Sequence, residues 1–238
     1  MWNRSELKSN AKLALKANYW KAVLVGLILS FILGSGSTAA QNSARSSTDG
    51  LTDIDPVMVF TVIGIILAAV FVAMVISILL SIFIWNPLEV GCQKFFINCK
   101  YGNAELGDMA YGFKNGYAHI GMIMFLRGLF TGLWMLLFII PGIVKSYEYM
   151  MIPYLLAEHP EMTRQEAFAE SKQMMDGNKW DAFVLDLSFI GWTLLGVCTF
   201  GILLVFYVEP YIYLTRAELY HALKNLSLIH ISEPTRRS

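Results

Sequence analysis

A bundle of membrane-crossing helices is the fold class the sequence predicts, and three observations predict it. Residues 57–85 carry no charged side chain, a run that at about 1.5 Å per helical residue exceeds the roughly 30 Å of a hydrocarbon core. The 238 residues are 56% hydrophobic and 15% charged, well below the roughly 25% charged of soluble domains, and the mean hydropathy is +0.53. The remaining apolar content lies in further runs that leave no room for a separate soluble module. Residues 1–225 therefore read as a single all-α integral membrane domain, a polytopic helical bundle with amphipathic helices at its interfaces.

The chain opens with Arg4, Lys8, Lys12 and Lys16 at four-residue spacing. In a helix this stacks the cations on one side, with Leu7, Ala11, Ala14 and Leu15 on neighbouring faces. An interfacial helix on an anionic membrane surface is predicted, the alternative being a solvated basic tail. Residues 22–40 give a first span, anchored by Tyr19 and Trp20. A competing reading makes residues 1–40 a signal peptide, against which stands the length of the basic region. Residues 35–50 are rich in Ser, Thr, Gly and Ala and read as a loop.

Apolar density alone marks four spans, near 22–40, 57–85, 117–143 and 182–208. That count puts Arg164 and Lys172 outside, against the excess of Lys and Arg that inner loops carry. Six spans follow if Pro141 and Gly142 form a hairpin turn, residues 143–158 return as a short fourth span, and a break at Thr199 and Gly201 divides the last run into 180–197 and 200–217. This gathers the basic loops on one side, with both termini cytoplasmic, Lys145 near the outer interface and Lys179 inside. Six is the preferred count and four the alternative.

Thr163 followed by Glu166 is a capping box, and Gly177 stands where a helix needs a left-handed terminator, so a helix is predicted over 164–176 with an apolar face that must dock. Gly121, Gly128 and Gly132 lie along roughly one face of the third span and predict close helix packing within the chain, a dimer contact being the alternative. Gly112 and Gly116 read as loop residues.

Intramembrane charges are the strongest functional candidates, because an unpaired one costs at least about 2.5 kcal/mol. Matched depth and opposite sign predict that Arg127 pairs with Asp186 or Glu209. Lys145 and Glu148, three apart, form a local helical pair. Chemical motifs are missing: no phosphate loop, dinucleotide glycine pattern, HExxH, nucleophile elbow or metal-ligand spacing occurs in the sequence. No catalytic residue, metal or cofactor is therefore assigned, and the protein is read as not an enzyme. Cys92, Cys99 and Cys198 read as free thiols, and the zero formal charge argues against nucleic-acid binding.

The segments AKLALKANYWKAV from Ala11, NPLEVG from Asn86, IPGI from Ile140, AFAESKQMMDGNKWDAF from Ala167 and TFGILLVFYVEPYIYLTRAELYHAL from Thr199 resemble an uncharacterised bacterial integral membrane family, domain of unknown function 975. The resemblance runs to about Asn225 and is distantly similar to membrane regions of some glycerophosphodiester phosphodiesterases. It implies a multi-pass bacterial plasma-membrane protein and carries over no catalytic residues. Residues 226–238, ending SLIHISEPTRRS, depart from it and read as a non-native read-through tail.

Two functions of different kinds fit these features. One is a non-enzymatic envelope scaffold or regulator, partnered by the lipid bilayer and by a membrane or cytoplasmic protein through the 164–176 helix. The other is a transporter or permease component using Arg127, Asp186 and Glu209.

Overall fold

The computed structural model describes residues 3–38 and 56–232. Most of the loop read at 35–50, and the tail from residue 233 on, lie outside the described residues. Among the described residues there are helices and turns and no strand.

Helix α1 (Arg4–Ala17) is opened by Asn3, whose side chain accepts from the Ser5 N–H, and α2 (Tyr19–Thr38) follows it almost directly. Leu7, Ala11 and Leu15 recur at four and are buried, packing against the last described helix, α12 (Glu209–Ser232). Each buried leucine of such a stripe contributes roughly 1.5–3 kcal/mol. The cationic side of α1 also meets protein, which departs from a helix simply lying on lipid. Lys8 donates to the Ser188 hydroxyl at 2.7 Å and sits 4.5 Å from the Phe189 ring centre, Lys12 lies 5.7 Å from the Tyr211 ring, and Arg4 approaches Asp181 at 3.9 Å. Lys16 is exposed.

The long apolar run is one helical rod made of α3 (Pro56–Leu80), a π turn over Ser81–Trp85, and α4 (Asn86–Cys99). Pro87 explains the π turn. Proline has no N–H, and its ring crowds the carbonyl four residues back, so the preceding turn widens and the Asn86 N–H reaches the Ser81 carbonyl. The same device recurs where a π turn over Leu204–Val208 precedes Pro210. The two parts of the rod have opposite surroundings: Ile63–Leu80 are exposed, whereas Val90, Cys92, Phe95, Phe96 and Ile97 are buried. Phe96 stacks on Tyr213, and Tyr220 on Tyr154, making α12 the central helix of the core.

A 3-10 turn (Leu106–Ala110) and short α5 (Tyr111–Lys114) lead to α6 (Tyr117–Leu137) and α7 (Ile139–Glu148). The hairpin between α6 and α7 turns at Phe138, which is extended, and not at Pro141 and Gly142 as the sequence suggests. Pro141 falls in the first turn of α7, where a missing N–H costs little. Gly142 is a packing position inside the helix, for a Cβ there would stand 2.6 Å from the Met135 Cα. The segment read as a fourth span is divided at Tyr149–Met151, ahead of Pro153, into α7 and α8 (Ile152–Glu158).

Helix α9 (Arg164–Met175) has the capping box in full, Thr163 accepting from the Glu166 N–H and Glu166 from the Thr163 N–H, and it ends before Gly177 at φ 71°. Helices α10 (Lys179–Leu187) and α11 (Ile190–Cys198) then lead to a tight turn at Thr199–Gly201. Of the described helices, those covering Ile63–Cys99, Tyr117–Leu137 and Lys179–Cys198 are long and apolar enough to cross a membrane; Tyr19–Leu29 is apolar but shorter.

The closest approaches are backbone to backbone. A Cβ on Gly91 would lie 2.0 Å from the Met109 carbonyl oxygen, one on Gly112 2.1 Å from that of Pro87, and one on Gly121 2.3 Å from that of Ile82. Gly112, read as a loop residue, is thus a contact of α5 with α4. Gly128 and Gly132 have open space where a Cβ would go, so of the three glycines only Gly121 seats α6 on the α3–α4 rod. Gly91→Ala and Gly112→Ala are expected to destabilise the protein by about 1–3 kcal/mol each through overpacking. Gly128→Ala should leave the thermal midpoint unchanged or raise it. Thermal unfolding in detergent measures all three.

Candidate functional site

The charges that the sequence places near apolar segments meet in a band of ion pairs linking α4, α6, α7, α10 and α12. Arg127 on α6 donates to Glu89 on α4 at 3.0 Å. Asp186 on α10 accepts from the guanidinium of Arg216 on α12 at 3.1 and 3.3 Å, and from the Tyr147 hydroxyl at 3.0 Å. The expected pairing of Arg127 with Asp186 or Glu209 thus gives way to two separate pairs, and Glu209, at the start of α12, makes no ion pair among the described residues. Buried Tyr154 is within electrostatic reach of Glu89, Arg127, Asp186 and Arg216, so the two pairs are neighbours. Asn86 adds a polar tie by donating to the Gly121 carbonyl at 3.1 Å.

Glu148, the residue after Tyr147, is the second hub. Lys145 and Lys179 donate to its two carboxylate oxygens at 2.8 and 2.9 Å, and the Ser171 hydroxyl donates to its backbone carbonyl at 2.7 Å. The local pair of Lys145 and Glu148 is therefore joined by a lysine from another helix. This corrects one sequence-based placement: Lys145, assigned near the outer interface, and Lys179, assigned inside, share one carboxylate.

Farther along α12, Glu158 accepts from Tyr220 at 2.7 Å and from Lys224, while Glu218 pairs with Lys100 at 3.1 Å. Glu89, Tyr147, Lys179 and Arg216 were not singled out from sequence as partners. Glu89 was the most accessible of them, since it lies just beyond the uncharged run and at a depth that suits Arg127.

At the surface, the Thr163 hydroxyl and N–H hold the Glu166 carboxyl below the usual glutamate range. Burial, with Lys12 and Arg4 nearby, lowers the Lys8 ammonium. Among the described residues, buried Gln93 keeps a side-chain oxygen without a hydrogen-bond partner. Among the described residues no three His, Cys, Asp or Glu side chains gather as a metal site. A mostly apolar groove of about 490 Å³ runs along α6, lined by Ser81, Asn86, Met124, Gly128, Gly132 and Leu136. Among the described residues, this arrangement holds helices together through paired charge.

The fold and its band of ion pairs agree with a class of all-helical proteins whose long apolar helices are compatible with a membrane. Within the chain, residues 121–227 match a sequence family described as a protein of unknown function, DUF975. The match runs from within α6 to within α12, and so includes both ionic hubs but not Glu89. No curated protein matches the chain, and no solved structure does.

Two outcomes follow. In a double-mutant cycle read by unfolding in detergent, Glu89→Ala and Arg127→Ala should couple by about 0.5–3 kcal/mol, and Arg127→Ala with Asp186→Ala by less. The Glu166 carboxyl sits below its ordinary value of about 4.3, so its contribution to α9 is present above that value and lost as pH falls through the lower, folded one. Hydrogen exchange should show the first turn of α9 opening only as the pH falls below the ordinary glutamate range, and the Glu166→Gln variant should lack that transition.

Proposed function

We propose that this chain is a multi-pass protein of the bacterial plasma membrane, with both termini cytoplasmic, that acts without catalysis as an envelope scaffold or regulator. Three observations support a membrane setting: the uncharged rod of Ile63–Leu80 with its exposed side chains, the two further apolar helices of crossing length, and the match to an uncharacterised family. The observation that carries the scaffold reading is the pairing of charge. Glu89, Glu148, Glu158, Asp186 and Glu218 each engage a cation, and the pairs join different helices. A permeation site needs charged or polar groups that a solute can replace as partners; here those groups are committed to one another, which is how buried charge serves as structure.

The surface offered to a partner is the polar side of α9. Its apolar face is used, with Ala167, Ser171, Met174 and Met175 buried, while Arg164, Gln165, Glu166, Lys172 and Gln173 stay exposed. A helix capped at its start and packed along one side presents these groups in a fixed arrangement suited to a cytoplasmic protein.

The test is solvent access to the ion pairs. In a background with Cys92, Cys99 and Cys198 each replaced by alanine, single cysteines at Arg127 and Asp186 should resist impermeant maleimides added to either side of sealed membranes, and react once the protein is unfolded. Labelling from both sides would replace this reading with that of a transporter.

A further inference from the structure

The two apolar hairpins differ sharply in reach from the rod that carries α3. Side-chain contacts set the levels. Glu148 ties Lys145 of α7 to Lys179 at the start of α10, and the Phe168 ring of polar-faced α9 packs on Tyr149 at 4.9 Å and on Phe130 of α6 at 5.8 Å. The stretch of α6 beyond Phe130, and of α7 before Lys145, is all that projects past this charged level. That is eight residues to Phe138 on one arm and six from Ile139 on the other, about 12 and 9 Å at 1.5 Å per residue.

The second hairpin has the same proportions. Cationic α1 fixes its base, Lys8 lying on Ser188 and Phe189 and Lys12 over Tyr211. From Phe189 to Phe200, and from Phe200 to Tyr211, is eleven residues each, about 16 Å. The rod is far longer. Glu89 is level with Arg127 through their ion pair, and from there back to Phe60 is 29 residues, about 44 Å. A hydrocarbon core is about 30 Å thick; although the helices over Tyr117–Leu137 and Lys179–Cys198 are each long enough in total to cross it, the parts of them beyond the charged level reach no more than about halfway, whereas the rod reaches beyond it.

The tips are made for hydrocarbon. No charged side chain occurs over residues 128–144 or 187–208. Leu136 is 85% exposed, Ile140 77% and Phe200 98%, so nothing among the described residues covers them. The backbone at the turns is largely satisfied from within, as a low-dielectric surrounding requires. Gly201 donates to the Gly196 carbonyl at 2.9 Å, and Phe200 to Val197 at 3.1 Å. The Thr199 hydroxyl donates to Gly196 and accepts from the Leu203 N–H, and at the other tip Phe138 donates to Trp134. What separates these turns from ones that emerge into water is their side chains, Phe138, Ile139, Ile140 and Phe200, where water-facing turns favour Gly, Pro, Asn, Asp and Ser.

We propose that the α6–α7 and α11–α12 hairpins are re-entrant: their tips at Phe138–Ile140 and Phe200 are an interaction surface for lipid acyl chains and end inside the bilayer, near its midplane, on the side from which they enter. The inference rests on the membrane reading above, and it removes two of the outer loops that a six-span count requires. Lys145 then lies with Lys179 on the cytoplasmic side, as their shared carboxylate demands.

The experiment uses the full chain with Cys198→Ser and one new cysteine at a time: Ile139→Cys, Phe200→Cys, Lys172→Cys, and Asp53→Cys in the sequence just before α3. Intact cells are treated with an impermeant maleimide, and the same variants carrying a nitroxide are reconstituted in vesicles of phosphatidylethanolamine and phosphatidylglycerol for collision with oxygen and with a water-soluble nickel chelate. Expected are labelling of Asp53→Cys from outside, labelling of Lys172→Cys only after the cells are opened, and none at Ile139→Cys or Phe200→Cys, whose nitroxides should collide at least tenfold more often with oxygen than with nickel. External labelling of Ile139→Cys and Phe200→Cys alongside Asp53→Cys would overturn the proposal while leaving the protein in the membrane. Recovery of the chain in the soluble fraction, with all positions open to nickel, would remove the membrane reading and the proposal together.

Discussion

The carboxylate of Glu148 is the constraint on which the rest of the arrangement depends. It lies at the end of α7, takes one lysine from its own helix and one from α10, and offers its backbone carbonyl to Ser171 of α9. Three helices separated by turns are held at one level by a single residue. Tyr147, next to it, reaches Asp186, which in turn engages Arg216 of the central helix, so the level is carried into the core. Removing one member of such a set leaves the others buried without compensation, which is why paired charge in a low-dielectric region acts as a lock between helices even where its net stabilisation is small.

Local features of this architecture were legible in the sequence because their causes are local. The α9 helix needs only Thr163, Glu166 and Gly177, whose hydrogen bonds and backbone angles involve residues a few positions away. The turn at Thr199–Gly201 was visible for the same reason. The partner of Arg127 was not. Glu89 lies 38 residues earlier, and its position depends on how α4 continues the long rod, which no periodicity in either segment encodes. Pro141 and Gly142 attracted the turn because both residue types favour turns, yet a proline in the first turn of a helix and a glycine at a close contact are equally good uses of them. The glycine row of α6 misled similarly: spacing places Gly121, Gly128 and Gly132 on one side but says nothing about which of them has a neighbour. The cationic row of α1 was seen, while the protein groups that meet it, Asp181, Ser188 and Tyr211, could come only from the tertiary structure.

Backbone proximity contributes to the firm base that α4, α5 and α6 form. Gly91, Gly112 and Gly121 each receive a carbonyl oxygen of a neighbouring segment where any other residue would place a carbon. Helices brought this close gain dispersion along their whole contact, and they do so without relying on water to drive them together. This is the packing chemistry suited to apolar surroundings, and it is concentrated where the ion pairs begin.

The π turns before Pro87 and Pro210 each hold one residue more than an ordinary helix would use. That surplus is absorbed within the widened turn: deleting one residue from Ser81–Trp85 would return it to an ordinary turn with the helix upstream close to its present phase, whereas a deletion within α3 itself would swing everything upstream of it by about 100° about the helix axis. The rod is thus two helices in continuous phase across a widened turn. Its outer half can drift in composition as long as it stays greasy and keeps its residue count.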